Sequence, residues 1–533
     1  MGSCKILDCT LRDGGYVNNW EFGKVNSMNI IRLLSKAKVD YIEIGFFSNK
    51  ENQDSQTLFN SFNKADTFIP DEIENSKIVG MITYGDFEQE KIPECKETKV
   101  KNLRVIFKKS QSDAAIQYCK ELIKKGYNVF VNPTFINMFT DLEIIELLSK
   151  INDIHPYGAS IVDSMGVLNE SETLRLFYLF NHNLNDDILL CFHSHNNLQL
   201  SLSNAKSLVN ATKYRPLIID STVFGIGRGA GNLCTELIIQ YLNKNEQKYE
   251  LLPVLKIIDE YINPIYSLTP WGYSVPYYLA AINDCHPNYA KYLDEKHSLP
   301  VEKINALLKQ LPIENRYVYD KELIKKIYLN SQEVFIDESI SLKTFRRELN
   351  NRKILIIGPG RSITNFYKEI SNFIKLNEPI VISLNFIPNL IEVNFAFFSN
   401  QKRYLQLCNS KDISKYKLIL SSNINCKHNE KNVLVVNYSS YVNNSSAFDN
   451  ASLMIFNLLK SINVNEIYLA GLDGFSKNSN ENFYDTELVN TSNDETFEEK
   501  NRAIKSELYQ LSKSIHFIFI TPSLYSDFGE QKC

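Results

Sequence analysis

The sequence predicts an α/β protein: a closed (β/α)8 barrel first, then a helical extension, then a Rossmann-like, doubly wound α/β domain. Three observations carry that expectation. Short apolar runs alternate with amphipathic stretches from residue 1 to about 235, as in repeated βα units. There are eight such runs, the number that closes a TIM barrel. The chain, at 533 residues, is longer than one hydrophobic core usually serves, so further domains must follow.

In order, the runs are Lys5 to Cys9, Tyr41 to Gly45, Lys77 to Thr83, Leu103 to Phe107, Asn128 to Val131, Ala159 to Asp163, Ile188 to His193 and Leu217 to Thr222. Between them, Val25 to Lys38, Ser112 to Lys125, Asp141 to Ile151, Glu170 to Asn181 and Leu198 to Asn210 carry helical spacing. Residues 1–240 are therefore read as the barrel. Residues 241–345, with helices expected at Leu251 to Tyr261 and Val301 to Gln310, form the extension, and 346–533 form the second domain. That domain opens with a buried strand at Lys353 to Ile357 entering Gly358-Pro359-Gly360, and strands follow near Ile380, Phe395, Leu418, Val433, Ile467 and Phe517. Gly358-x-Gly360 lacks the third glycine of a dinucleotide fingerprint and reads as a tight turn. The Asn-rich stretch 478–494 reads as an exposed loop.

A barrel of this kind carries its working groups where strands end. Arg12 and Asp13 follow the first run and precede Gly14-Gly15, glycines expected to supply backbone angles closed to other residues. Glu43 lies in the second run, Asn132 follows the fifth, Asp163-Ser164 closes the sixth, and His193 and His195 sit at the end of the seventh. Residues two apart on an extended chain face one side, so the two imidazoles can meet a carboxylate and half-build a site for a divalent cation. After the eighth run, Gly225-Ile226-Gly227-Arg228-Gly229-Ala230-Gly231-Asn232 can bring backbone N–H groups close to an anion.

Composition excludes other classes. A formal net charge of −4 without a basic run points to neither nucleic acid nor acidic lipid. No apolar run reaches the roughly 20 residues of a membrane helix. Ten cysteines are scattered without a Cys-x-x-Cys pair, which suits a reducing compartment, and the chain opens without a signal-peptide pattern. A cytoplasmic protein, assembling as a homo-oligomer, is expected.

Leu11-Arg12-Asp13-Gly14, His193-x-His195-Asn196 and Gly225-Ile226-Gly227-Arg228-Gly229-Ala230-Gly231-Asn232, in that order and at barrel spacing, resemble the metal-dependent aldolase and Claisen-condensing barrels. These include hydroxymethylglutaryl-CoA lyase, isopropylmalate synthase and 4-hydroxy-2-oxovalerate aldolase. The resemblance covers about residues 1–240. It implies a divalent cation, manganese or magnesium with zinc or cobalt as alternatives, on Asp13, His193 and His195, with Asn232 as a fourth ligand or as a partner behind the ligands; read from its glycine loop alone, Asn232 could equally be a turn former. The resemblance also implies Arg12 against a developing enolate oxygen, and a 2-oxo acid with an aldehyde or acyl partner as substrates.

Departures from the resemblance are equally informative. The hydroxyketoacid aldolases place a histidine base where this chain has Tyr16, and a phenol with pKa about 10 is a poorer base. Proton transfer then falls to Tyr16, to Glu43 or to a group on the extension. Asn132, Asp163, Ser164 and Gly227 are read as contacting substrate or ordering loops. Two rivals keep the fold: acyl-CoA condensation, and a Schiff base on Lys108. The segment Ile467 to Gly474 in the second domain resembles sugar-phosphate or sialic-type transferase modules. That implies a nucleotide or nucleotide-sugar ligand and a setting in surface-polysaccharide or modified-sugar synthesis.

Overall fold

The computed structural model describes residues 4–50, 52–349, 351–410, 412–426, 432–442, 449–476, 483–484 and 495–531. The chain divides into two compact units, one of residues 1–290 and 312–319, the other of 291–311 and 320–533. The segment read as an extension is thus shared between them. Of the Asn-rich stretch, all but Phe483 and Tyr484 lies outside the described residues.

The first unit is a closed parallel barrel. Its strands are β1 (Cys4–Asp8), β2 (Tyr41–Phe47), β3 (Lys77–Thr83), β4 (Asn102–Phe107), β5 (Asn128–Pro133), β6 (Gly158–Asp163), β7 (Leu189–Ser194) and β8 (Leu217–Ser221). Closure comes from β1, which pairs with β8 from Cys4↔Leu217 to Asp8↔Ser221 and with β2 at Leu7↔Tyr41 and Asp8↔Ile42. The eight apolar runs therefore become the eight barrel strands, displaced by no more than two residues at either end. Between β3 and β4, where every residue is described, only the single 3-10 turns Gln89–Lys91 and Cys95–Glu97 form. The reason is local, since Pro93 falls between them in a charged segment without helical apolar spacing.

The helices outside the barrel start where their sequence dictates. Thr140 caps Asp141–Ile154 with Glu143 reaching back, and Asn169 does the same with Glu172 for Glu170–Asn183. The first of these buries Ile144, Leu147, Leu148 and Ile151, one face at helical spacing. Inside the barrel, alternation separates two layers. Leu7, Tyr41, Val79, Phe130, Cys191 and Ile218 form a small apolar cluster. Two residues further along four of these strands, on the same face, stand Glu43, Asn132, His193 and Asp220. An apolar plug thus underlies a polar layer.

The second unit holds an eight-stranded parallel sheet: β9 (Ile354–Ile357), β10 (Ile380–Leu384), β11 (Phe395–Phe398), β12 (Lys417–Ser421), β13 (Val433–Val436), β14 (Glu466–Ala470), β15 (His516–Phe519) and β16 (Glu530–Gln531). The order is β13-β12-β11-β10-β9-β14-β15-β16, a doubly wound arrangement whose direction of growth reverses beside β9. Strand β9 is buried on both faces, Ile354 and Ile356 joining one apolar cluster and Leu355 and Ile357 another, as continuous apolar runs in parallel sheets require. A Cβ on Gly358 would lie 2.4 Å from the Gly471 carbonyl, and one on Gly360 would lie 2.5 Å from the Asp473 carboxyl carbon. Asp473 accepts the Ser362 N–H at 2.8 Å, so this glycine turn closes onto a carboxylate. No helix among the described residues is long and apolar enough to cross a membrane.

One irregularity of the barrel is placed under the site. Register shifts in β2 between Glu43 and Phe46, where Gly45 has φ +153° and a Cβ would lie 2.0 Å from the Thr57 carbonyl. Gly45→Ala is expected to destabilise the first unit by about 2 kcal/mol or more through backbone strain and overpacking. Denaturant unfolding monitors this, and a loss below about 0.5 kcal/mol would show that the strand relaxes freely.

Candidate active site

At the end of β1 the chain enters a single helical turn, Thr10–Asp13. Asp8 steadies it, accepting the Thr10 N–H at 2.9 Å and the Thr235 hydroxyl at 2.6 Å. Gly14 has ordinary helical angles, φ −59° and ψ −23°, so the expected dihedral role is corrected to a steric one. Cβ atoms on Gly14 and Gly15 would lie 2.4 Å from the Thr10 carbonyl and 2.0 Å from the Trp20 indole.

This turn brings Asp13 to the two histidines. One ligand atom each from Asp13, His193 and His195 lies within 4.8 Å of the others, and all three residues are buried. The Nε2 atoms of His193 and His195 are 3.7 and 4.0 Å from Asp13 Oδ2. Their Nδ1 atoms face acceptors instead, Asp220 Oδ2 at 3.1 Å and the Gly231 carbonyl at 3.3 Å. With Nδ1–H donating there, both Nε2 lone pairs are aimed at one point. Asn232 joins them, its Nδ2 donating to Asp13 Oδ2 at 2.6 Å and to the Ile226 carbonyl at 3.1 Å. Gly227 admits this approach, since a Cβ there would lie 2.1 Å from Asn232 Nδ2.

The donor set fits a divalent cation. Asp13 Oδ1 and Asn232 Oδ1 are buried without a hydrogen bond, and although Arg12 Nη1 lies 3.2 Å from the former, nothing positive among the described residues meets the latter, which costs free energy. Burial alone would raise the Asp13 pKa, but Arg12, then His195, His193 and Arg228, pull it well below the ordinary carboxylate range. Burial, helped by Arg228, His193 and Arg12 and opposed by Asp13, lowers the His195 pKa to about 3. Both groups therefore have a lone pair available at neutral pH.

Arg12 donates from Nε to Glu43 Oε2 at 2.7 Å and places Nη1 3.2 Å from Asp13 Oδ1, with its guanidinium 5.6 Å from the Phe46 ring centroid. Glu43 is fully buried behind it and also faces Arg104 Nη1 at 3.5 Å. Arg104 and Asp220 went unforeseen, and they pair at 2.5 Å. The signal was present, because each is a lone charge inside an apolar barrel strand. Asn132, its amide oxygen turned to Arg104, accepts from Nε at 3.0 Å and Nη2 at 2.7 Å and donates to Ser160 Oγ at 3.0 Å.

Arg12, Asp13, Tyr16, Asn132, Ser164, His193, His195 and Arg228 line one cavity of about 370 Å³. Asp163 has another occupation: its carboxylate accepts the Val167 and Leu168 N–H groups, and burial pushes its pKa up to about 7. Ser164 Oγ accepts the Phe135 N–H at 2.9 Å. Tyr16 packs edge-on against Trp20 and Phe46. Although Tyr16 is 45% exposed, desolvation of its phenol by the surrounding cavity wall, with Asp13 and Asp86, pushes it above the ordinary value, Arg228 and Arg12 opposing. Lys108 stands exposed at the cavity rim, without the apolar enclosure that activates a Schiff-base lysine.

Comparison with known proteins gives matches over the first half of the chain. The HMGL-like family model matches residues 3–258. This segment is an HMGL-like domain. The 4-hydroxy-2-oxovalerate aldolase of Bacillus cereus (strain ATCC 10987 / NRS 248) is 24% identical over 269 residues, 49% of this chain and 76% of that protein. The 4-hydroxy-2-oxovalerate aldolase 2 of Rhodococcus jostii (strain RHA1) is 25% identical over 267 residues, with 49% and 76% covered. Among solved structures, the N-terminal domain of a proposed aldolase from Bacteroides vulgatus is 26% identical, covering 54% of this chain and 96% of that one at a TM-score of 0.47.

The HMGL-like domain's His193 depends on Asp220 for its orientation. Asp220→Asn is expected to weaken Mn2+ binding about 10- to 100-fold, read by calorimetric titration of the full chain. Unchanged affinity would mean that Asp220 serves Arg104 alone.

Proposed function

We propose that the HMGL-like domain is a divalent-metal-dependent aldolase or lyase that makes or cleaves a carbon–carbon bond beside a 2-oxo acid through its enolate. One observation carries the reading: the Arg12 guanidinium stands against a buried, convergent Asp13, His193 and His195 cluster, beside which Asp13 Oδ1 and Asn232 Oδ1 lack a hydrogen bond. Asp13, His193 and His195, with Asn232, would hold the cation, which when bound supplies Lewis-acid polarisation of the 2-oxo carbonyl. Arg12, locked by Glu43, is preorganised toward negative charge arising on that oxygen. Glu43 then positions Arg12 rather than moving protons. Tyr16, protonated at neutral pH, suits handing a proton to the acceptor's oxygen and does not suit the base. Manganese or magnesium fits the mixed oxygen and nitrogen donors, with zinc or cobalt as alternatives.

Chelation of the full chain is expected to abolish pyruvate-dependent aldol turnover and Mn2+ to restore it; activity surviving exhaustive chelation sinks the reading. Arg12→Ala should lower kcat by about 10²- to 10³-fold. Release of free thiol from acetyl-CoA would instead favour acyl-CoA condensation.

For the second unit a separate reading rests on its own cavity, about 280 Å³, lined by Gly360, Leu384 and Gly471 from the ends of β9, β10 and β14. Ligands of open parallel sheets bind at such a position. A nucleotide or nucleotide-sugar module, working in modified-sugar synthesis, fits it. Calorimetric titration of the full chain with nucleoside monophosphates and nucleotide sugars should show saturable heat, and its uniform absence refutes this second reading.

A further inference from the structure

Arg228 belongs to the glycine loop after β8 and lines the rim of the first unit's cavity. Its surroundings differ from those of Arg12 and Arg104, each of which is paired with carboxylates. Among the described residues Arg228 forms no ion pair. Nη2 donates to the Ser164 carbonyl at 3.0 Å, Nη1 faces His286 Nε2 at 3.2 Å, and the guanidinium lies 5.8 Å from the Tyr16 ring centroid. A guanidinium has five N–H groups, so most of its donors remain directed elsewhere.

Even the His286 contact is contested. The Asn288 N–H points at His286 Nδ1 at 3.2 Å, so two donors approach one ring. Burial, with Arg228 and His195, lowers the His286 pKa to about 3, and the neutral ring offers a single lone pair. One of the two contacts therefore sets N–H against N–H. Arg228 is held in place with an acceptor wanting.

The charge of the cavity wall points the same way. Its carboxylates are Asp13 at the buried end and Asp86, against Arg12, Arg104, Arg228 and Lys108. Arg12 and Arg104 are neutralised from behind by Glu43 and Asp220. Arg228 is half-buried and Lys108 exposed, whereas Arg12, Asp13, His193 and His195 are buried. The unneutralised cations thus stand further out than the group that would hold the 2-oxo acid.

Resting on the aldolase reading, we infer that Arg228, with Lys108 on the same cavity wall, binds an anionic group on the acceptor aldehyde, a carboxylate or a phosphate remote from the reacting carbonyl. The substrate pair is then a 2-oxo acid and an anionic aldehyde. A guanidinium matches both anions bidentately.

The test uses the Mn2+-loaded full chain with pyruvate and two matched acceptor pairs: glyceraldehyde 3-phosphate against glyceraldehyde, and succinic semialdehyde against butanal. The wild type is expected to prefer at least one anionic acceptor by roughly tenfold or more in kcat/KM, the scale of a hydrogen bond to a charged group. Arg228→Ala should collapse that ratio to within about threefold, chiefly through KM, and Arg228→Lys should retain part of it. Which anion is preferred identifies the source. A wild type indifferent to charge, or an Arg228→Ala protein that keeps the preference, overturns the inference. If the alanine variant does not fold, the wild-type and lysine ratios decide it. Deuterium exchange at pyruvate C3 without any acceptor tests the underlying reading separately. Exchange without anionic preference removes Arg228's role alone, and no exchange removes the aldolase reading and this inference together.

Discussion

A closed ring of buried charges underlies the first unit. Asp13 meets Arg12, Arg12 meets Glu43, Glu43 meets Arg104, Arg104 meets Asp220, Asp220 meets His193, and His193 returns to Asp13. Buried ions are costly alone, and removing one partner from such a set leaves another uncompensated. Here every charge is flanked on both sides by its opposite or by an imidazole. Three carboxylates against two guanidiniums leave one negative charge, with the imidazoles taken as neutral ligands. Within the ring Asp13 Oδ1 and Asp220 Oδ1 lack a hydrogen bond, as does Asn232 Oδ1 beside it, and at the Asp13 end a cation would complete the balance.

Barrel closure makes the ring possible. The six residues come from β2, β4, β7 and β8 and from the turn after β1, and only the pairing of β1 with both β8 and β2 brings the chain's first turn to its eighth strand. The apolar plug beneath excludes water from the ring's underside, which strengthens each pair relative to its value at a surface. Packing and electrostatics are therefore coupled: a shift of β2 at Gly45 would move Phe46 under Arg12 as well as Glu43 behind it.

Much of this was legible in the residues. Eight apolar runs became eight strands because a parallel barrel strand is buried on both sides and must be apolar along its length. His193 and His195 stood out by same-face spacing at a strand's end and Asp13 by following the first apolar run, and the fold brings the three together. Arg104 and Asp220 did not stand out, because a single charge in an apolar strand shows only that it faces inward, and its partner lies across the barrel. Gly14 was misread for a related reason: sequence shows the missing side chain but not which neighbour occupies its space. Asp163 stands at a strand end like the site residues yet binds its own loop, a difference decided by backbone N–H directions that no residue pattern encodes.

The electrostatic design also bears on why the ligand cluster should be charged as it is. Metal binding competes with protons on every ligand. Asp13 is held far below the ordinary carboxylate range and His195 near 3, so at neutral pH neither must release a proton to bind. Asp13 Oδ1, with Arg12 Nη1 at 3.2 Å, and Asn232 Oδ1 are buried acceptors without a hydrogen bond, an arrangement that costs free energy. On the proposed reading the site is preset for a cation, and the ring of ion pairs is what keeps its side chains from relaxing.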